Sequence, residues 1–250
     1  SVQSDDDVEE LQEEINELKA ELAVKLAKTG ALDEANSLIS EILASQPDNA
    51  DAWLAEARIK AGAGDLEGAI SRLMNYVESY PETVDDDVLE LLGKLLKRSG
   101  NTAEALARLE ASLKANPYDD DVYDEIAEIL EEQGDDRVKV FLQGQLLGFD
   151  VPPQIREGRT LVPFRAIGEA LDAEVTWDGE AQIVTVQKDD LIIVLPIGSE
   201  TVTVNGVEQT IDVPATLVAG RTLVPARFIS EAFGLTVDWR GNSRAVIIRE

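Results

Sequence analysis

Carboxylates dominate the reactive side chains of this sequence: its 250 residues hold 50 Asp and Glu against 22 Lys and Arg, with no His and no Cys. Without imidazole or thiol there is nothing from which to build a His-based triad, a Cys nucleophile, or a zinc, copper or haem site of the usual kinds. Carboxylate pairs, Ser-Lys dyads and oxygen-ligated calcium or magnesium remain as chemistry, and no spacing singles one out. The clusters Asp5 to Asp7, Asp85 to Asp87 and Asp119 to Asp121 stand where helices should start, so their carboxylates are expected to accept from free amides and to favour the dipole. None has the spaced acids and glycine of an EF-hand loop. The expectation is a non-catalytic chain with no catalytic residue, no cofactor and no metal.

The formal charge of -28 repels phosphate backbones and anionic headgroups, which disfavours nucleic acid and membrane surface as partners. The longest apolar runs, such as Leu191 to Pro196, fall far short of a span of about 20 residues. No signal peptide is visible. The first residue is Ser1 rather than Met, which fits a processed or a trimmed chain and is compatible with a removed leader.

Two kinds of element must carry whatever surfaces the chain presents. Residues 1–135 hold 34 acids and 11 bases and are rich in Ala and Leu at helical spacing. The remainder is close to balanced and rich in Val, Ile, Thr and Gly with strand-like alternation, so the boundary is placed at Gly134 to Asp136.

Punctuation divides the first part further. Gly30, Gly64, Gly100 and Gly134 recur every 34 to 36 residues, with Pro47, Pro81 and Pro117 in step. Between each Gly and the next Pro lies one amphipathic helix, and the Gly closes the helix before it. Small residues recur in the first helix of each pair (Ala23, Ala57, Gly93) and in the second (Ala35, Ala69, Ala105), with Trp53 near a helix start. This pattern resembles the tetratricopeptide repeat over about residues 16–133. The resemblance implies three repeats plus a polar capping helix from Asp119 to Glu132, a domain over 16–135, and a helical extension over 1–15. From that extension into the first repeat, Val8, Leu11, Ile15, Leu18 and Leu22 form a heptad-like stripe, expected to pack on the repeats and otherwise to join chains as a short coiled coil.

The same resemblance implies a concave face, lined by the first helix of each pair, that holds a partner peptide. Its positions fall on Val24, Lys28, Leu54, Arg58, Glu90, Lys94, Lys97 and Arg98. Several of the few bases would thus face one groove and attract an acidic segment. In the plainer alternative Lys28, Lys97 and Arg98 only complement the C-terminal ends of their helices. The Lys and Asn set of the chaperone-tail carboxylate clamp is not matched.

In the second part Gly158-Arg159-Thr160-Leu161-Val162-Pro163 returns 62 residues later as Gly220-Arg221-Thr222-Leu223-Val224-Pro225, and Arg165, Glu169 and Trp177 return as Arg227, Glu231 and Trp239. Each unit reads as a hairpin turning at Gln143-Gly144 or Asn205-Gly206, a Gly-Arg turn, an amphipathic helix, and two short strands around the Trp. This is similar to the copper amine oxidase N-terminal-like, or stalk, domain of exported proteins of Gram-positive bacteria. It covers about residues 136–250 and carries neither the copper site nor the cofactor Tyr of those oxidases. Trp177 and Trp239 are expected to be core anchors, and Arg165 with Glu169, like Arg227 with Glu231, to pair one helical turn apart. The alternative is a surface of Arg159, Trp177, Arg221 and Trp239 that binds carbohydrate, such as a wall polymer.

The fold class expected is multidomain: an all-α superhelix, then an α+β domain of two similar hairpin, helix and strand units. The function expected is protein interaction through the repeat groove at an extracellular or cell-surface location, with the second domain as anchor or spacer. The alternatives are a subunit that assembles into a homo-oligomer or filament and a wall-polysaccharide binder.

Overall fold

The computed structural model describes residues 2–250, with side chains described for residues 7, 8 and 10–250. The chain forms two compact units, Ser1–Ala115 and Asn116–Glu250. The first holds six α-helices: α1 (Val2–Lys28), α2 (Leu32–Ser45), α3 (Ala50–Gly62), α4 (Leu66–Ser79), α5 (Asp86–Arg98) and α6 (Thr102–Ala115). They pack as the hairpins α1/α2, α3/α4 and α5/α6. Each hairpin turns where a glycine takes a left-handed backbone, at Gly30, Gly64 and Gly100 with φ of +90°, +89° and +83°. A side chain at those angles is strained, and the following amide closes the turn by donating five residues back, as Asp65 N does to Lys60 O at 2.9 Å. The 34-residue punctuation therefore marks a repeated backbone shape.

Ala23, Ala57, Ala35, Ala69 and Ala105 are all fully buried, which lets paired helices approach closely. Gly93 is the tightest of these positions: a Cβ there would lie 2.6 Å from Leu109 Cγ and 3.3 Å from the Ala105 carbonyl. A second device ties two of the Pro turns to the helix that follows. Trp53 Nε1 donates to the Pro47 carbonyl at 2.8 Å, and Tyr123 Oη donates to the Pro117 carbonyl at 2.9 Å.

The leucine stripe departs from expectation. Val8, Leu11, Ile15, Leu18 and Leu22 are 45 to 65% exposed, because α1 turns a different face inward. Asn16, Ala20 and Ala23 are buried, with Asn16 Nδ2 donating to Gln46 Oε1 at 3.1 Å. Small side chains on that face permit the closer packing, and the larger aliphatics are left outside. Asp85 caps α5 by accepting from Val88 N at 2.9 Å, and Asp119 accepts from Asp121 N at 3.1 Å. The Asp5 to Asp7 cluster falls within α1 rather than before it, and the side chains of Asp5 and Asp6 lie outside the described residues.

The second unit opens with α7 (Asp120–Glu132), followed by β1 (Lys139–Leu142), β2 (Gln145–Leu146), β3 (Gln154–Arg156), β4 (Arg159–Pro163), α8 (Phe164–Ala170), β5 (Glu174–Asp178), β6 (Ile183–Lys188) and β7 (Leu191–Pro196). The series then repeats as β8 (Thr201–Val204), β9 (Val207–Thr210), β10 (Thr216–Val218), β11 (Arg221–Pro225), α9 (Ala226–Ala232), β12 (Thr236–Arg240) and β13 (Ala245–Arg249). The hairpin turns at Gln143-Gly144 and Asn205-Gly206 have positive φ at both residues, the primed geometry that suits the strand twist. Strand β7 and the β3/β4 and β10/β11 pairs that flank the Gly-Arg turns were not anticipated.

The two halves interlock. Strands β4 and β11 pair antiparallel with Val162 opposite Val224, Leu161 opposite Pro225 and Pro163 opposite Leu223. Residues 62 apart thus meet at the centre, so a pseudo-twofold axis passes through the Val162–Val224 pair. That strand pair alternates faces: Val162 and Val224 enter the main core with Phe164, Ile167 and Ile229, while Leu161 and Leu223 join Val151 and Val213 on the other side. Strand β1 pairs in parallel with β13, Lys139 opposite Ala245, so the first and last strands of the duplication close on each other.

Helix α7 takes ion pairs from the second half of the duplication and an aromatic contact from the first. Arg240 binds Asp120 at 2.6 Å and Asp124 at 2.8 Å, and Arg249 binds Asp120 at 3.1 Å. The equivalent positions in the first half are Asp178 and Gln187, which offer no cation. Tyr123 of α7 meets Phe141 edge-on at 4.9 Å between ring centres. Burial pushes the Tyr123 phenol up to about 12 from 10.0, so the folded state keeps a proton that the unfolded chain releases. The stabilisation is whole below pH 10 and is lost as pH rises from 10 to about 12. Alkaline titration followed by circular dichroism should therefore show a steeper loss for the native chain than for Tyr123→Phe.

Candidate functional site

The first unit presents one face built from α1, α3 and α5. Val24, Leu54 and Arg58, three of the positions expected on a concave surface, line one cavity of about 210 Å3. Leu54 is its buried floor. Glu90 and Lys94 form an ion pair with each other on α5, and Lys97 and Arg98 occupy the last turn of that helix. These four and Lys28 fall outside the cavity lining.

The charge of the face is opposite to the basic groove expected. Arg58 shares its cavity with Glu17, Glu21, Asp51 and Asp87. An adjoining depression adds Glu10, Glu13, Glu14 and Asp48 around the same Glu17 and Asp51. One guanidinium thus stands among eight carboxylates. The crowding registers in Asp51, whose carboxyl is pushed above its ordinary value by burial and then by Glu17, Asp85 and Asp87, with Arg58 opposing. Burial likewise raises Asp85, reinforced by Asp87 and Asp86. The physical reason is positional: helix-start acids of α3 and α5 converge on the acidic flank of α1, whereas most bases sit at the far ends of their helices.

Two clefts of the second unit, of about 240 and 370 Å3, are related by the duplication. One sets Arg165, Val175 and Trp177 against Leu217, Gly220 and Arg221. The other sets Arg227, Val237 and Trp239 against Ile155, Gly158 and Arg159. Adding 62 to the first three names and subtracting it from the next three converts one cleft into the other. Each cleft therefore takes its Trp from one half and its Gly-Arg turn from the other, a crossing that follows from the Val162–Val224 axis.

The four surface residues singled out in sequence thus sort into Trp177 with Arg221 and Trp239 with Arg159. Trp177 and Trp239 are 41% and 46% exposed, so they are not core anchors. Val175 lies beside Gly168 of α8; two residues on, along the edge strand β5, Trp177 lines the same cleft as Phe164 and Arg165. The turn arginines are held across the axis: Arg159 binds Asp212 at 2.7 Å and Arg221 binds Asp150 at 2.5 Å. The Arg221 guanidinium lowers the Asp150 carboxyl below its ordinary range. Among the described residues no ion pair joins Arg165 to Glu169 or Arg227 to Glu231, so that expected pairing is corrected too.

Among the described residues no group of three carboxylates is placed to hold a metal ion, and no helix is long and apolar enough to cross a membrane. Residues 26–95 and 91–136 match two models of the tetratricopeptide repeat, and residues 141–248 match the model of the copper amine oxidase N-terminal domain. The chain joins tetratricopeptide repeats to a copper amine oxidase N-terminal domain. None of the three matched models is a catalytic domain.

Among solved structures, pilF of Pseudomonas aeruginosa is 26% identical, with 46% of this chain and 52% of that chain covered and a TM-score of 0.40. A structure of MamA is 20% identical over 44% of this chain and 63% of its own, with a TM-score of 0.38. Another, MamA of AMB-1, is 26% identical over 46% and 62%, with a TM-score of 0.37. The match thus spans between about half and two thirds of those chains. No curated protein matches the chain.

Proposed function

We propose that the chain is a non-catalytic, exported interaction protein of the cell envelope, whose repeat segment holds a partner through the face of α1, α3 and α5. The copper amine oxidase N-terminal domain serves as its surface anchor or spacer. The tetratricopeptide repeats support a protein partner. The lack of any imidazole or thiol supports a binding role, and the stalk-type domain supports an extracellular location.

The observation that carries the reading is the meeting of Val24, Leu54 and Arg58 with a ring of carboxylates on one face. An apolar floor offers a seat for an aliphatic side chain, and the ring attracts cations, so the segment held is basic rather than acidic. A Lys- and Arg-rich peptide titrated calorimetrically should bind in a salt-sensitive manner, and an acidic peptide of equal length should not. The double variant Glu17→Gln, Asp51→Asn should weaken the basic peptide by about tenfold, equivalent to about 1.4 kcal/mol. Undiminished binding by that variant would count against this face.

Two further readings have observations behind them. The exposed stripe from Val8 to Leu22 follows the alternating three and four spacing of a coiled-coil seam, which favours self-association; a sedimentation coefficient independent of concentration would reject it. The exposed Trp177 and Trp239, each beside two arginines, favour carbohydrate binding by the second unit, because an indole face stacks on sugar rings while guanidinium groups bind their polar substituents.

A further inference from the structure

The clefts of the second unit contain more than aromatic surface. Each joins one exposed indole to two guanidinium groups, Trp177 with Arg165 and Arg221 and Trp239 with Arg227 and Arg159, and no carboxylate lines either. Arg159 and Arg221 are already held by Asp212 and Asp150. Among the described residues no carboxylate lies within ion-pair distance of Arg165 or Arg227, although acids outnumber bases by more than two to one in the chain. A guanidinium left unpaired beside an exposed indole is matched by an anion carried on a ring: the ring stacks on the aromatic face and the anion takes the planar fork.

The pseudo-twofold axis makes this arrangement twice, with the Trp and both arginines kept in each copy, while Phe164 and Leu217 of one cleft are replaced by Ala226 and Ile155 in the other. Two equal sites on one rigid β-framework are suited to a ligand whose own chemistry repeats, since the second contact then forms at high effective concentration.

We propose that the two clefts are equivalent sites for an acidic polysaccharide, each stacking one pyranose ring on Trp177 or Trp239 and binding that ring's carboxylate at Arg165 or Arg227. This rests on the reading of the second unit as a carbohydrate binder and adds the sign of the ligand, the anion-binding residues and the number of sites. The paired arginines at 159 and 221 hold the rim of each cleft in place rather than serve as the primary anion partner.

The test uses the full chain and three probes at physiological salt: oligogalacturonate, a neutral glucan of equal length, and polyglutamate as an acidic polymer without sugar rings. Native protein should bind oligogalacturonate at two equal sites. The glucan should bind at least tenfold more weakly, and so should polyglutamate. Arg165→Gln or Arg227→Gln should each leave one site, the double variant should leave none, and Trp177→Ala with Trp239→Ala should do the same. All four side chains are at the surface, and circular dichroism confirms that the variants are folded.

Glucan binding as strong as oligogalacturonate binding, lost with the Trp variants and unaffected by the Arg variants, would overturn the acidic-ligand inference while leaving carbohydrate binding intact. Polyglutamate binding equal to that of oligogalacturonate and insensitive to the Trp variants would overturn the sugar assignment. No binding of either glycan by the native chain would overturn both.

Discussion

Phe141→Ala should lower the stability of the second compact unit by about 3–5 kcal/mol, the range for removing a fully buried aromatic side chain. Strand β1 is buried on both faces: Val140 and Leu142 enter the main core, and Phe141, also fully buried, points the other way to meet Tyr123 of α7. Truncation leaves a cavity in a site that β13 pins on one side through the parallel ladder, so little collapse is available. Part of the loss belongs to the ring pair itself, and a cycle with Tyr123→Leu should report a coupling of about 0.5–1.5 kcal/mol. Denaturant unfolding measures both quantities. A loss below about 1 kcal/mol would mean that α7 does not dock on β1 in solution.

The second large effect concerns the repeat segment. Leu109→Ala removes a fully buried side chain of α6 and should cost about 2–5 kcal/mol. Gly93→Ala should also destabilise, because its added Cβ would lie 2.6 Å from Leu109 Cγ, which is held within the α5/α6 packing. Overpacking costs about 1–3 kcal/mol, against which the helix gains about 1 kcal/mol from losing glycine. The two changes share one space, so the double variant should be more stable than the sum of the single losses predicts, by at least about 0.5 kcal/mol. Strict additivity in denaturant unfolding would contradict the contact.

Much of this architecture was legible because some backbone shapes admit few residues. Gly30, Gly64, Gly100 and Gly134 all have positive φ, so their recurrence in sequence was already a recurrence of form. The Gly-Arg-Thr-Leu-Val-Pro duplication likewise announced two like units. What a repeat cannot say is which copy touches which. Trp177 meets Arg221 rather than Arg159 because β4 and β11 pair through Val162 and Val224, and pairing register is a property of the assembled sheet. Strands β3, β4, β10 and β11, which flank the Gly-Arg turns, and strand β7 escape a reading that runs each Gly-Arg turn straight into its helix and each Trp strand pair straight into the next unit.

Direction was the other blind spot. The spacing of Val8, Leu11, Ile15, Leu18 and Leu22 defines an apolar stripe but not what covers it, and the inward face of α1 is set by Asn16, Ala20 and Ala23. The charge of the concave face inverted for the same reason. Counting bases on the first helix of each pair placed several cations there, yet only Arg58 enters the cavity, and it meets acids from the starts of α3 and α5. The Arg240 and Arg249 latch on α7 was visible only as an asymmetry, Arg240 standing where the first half has Asp178.

The central claim is that this acidic face selects a basic partner segment, and panning a random peptide library against the full chain tests it most directly. The account predicts enrichment of peptides with clustered Lys and Arg around an aliphatic residue, and loss of that enrichment with the Glu17→Gln, Asp51→Asn variant. Enrichment of acidic peptides, or the same basic peptides recovered equally by the variant, would contradict it.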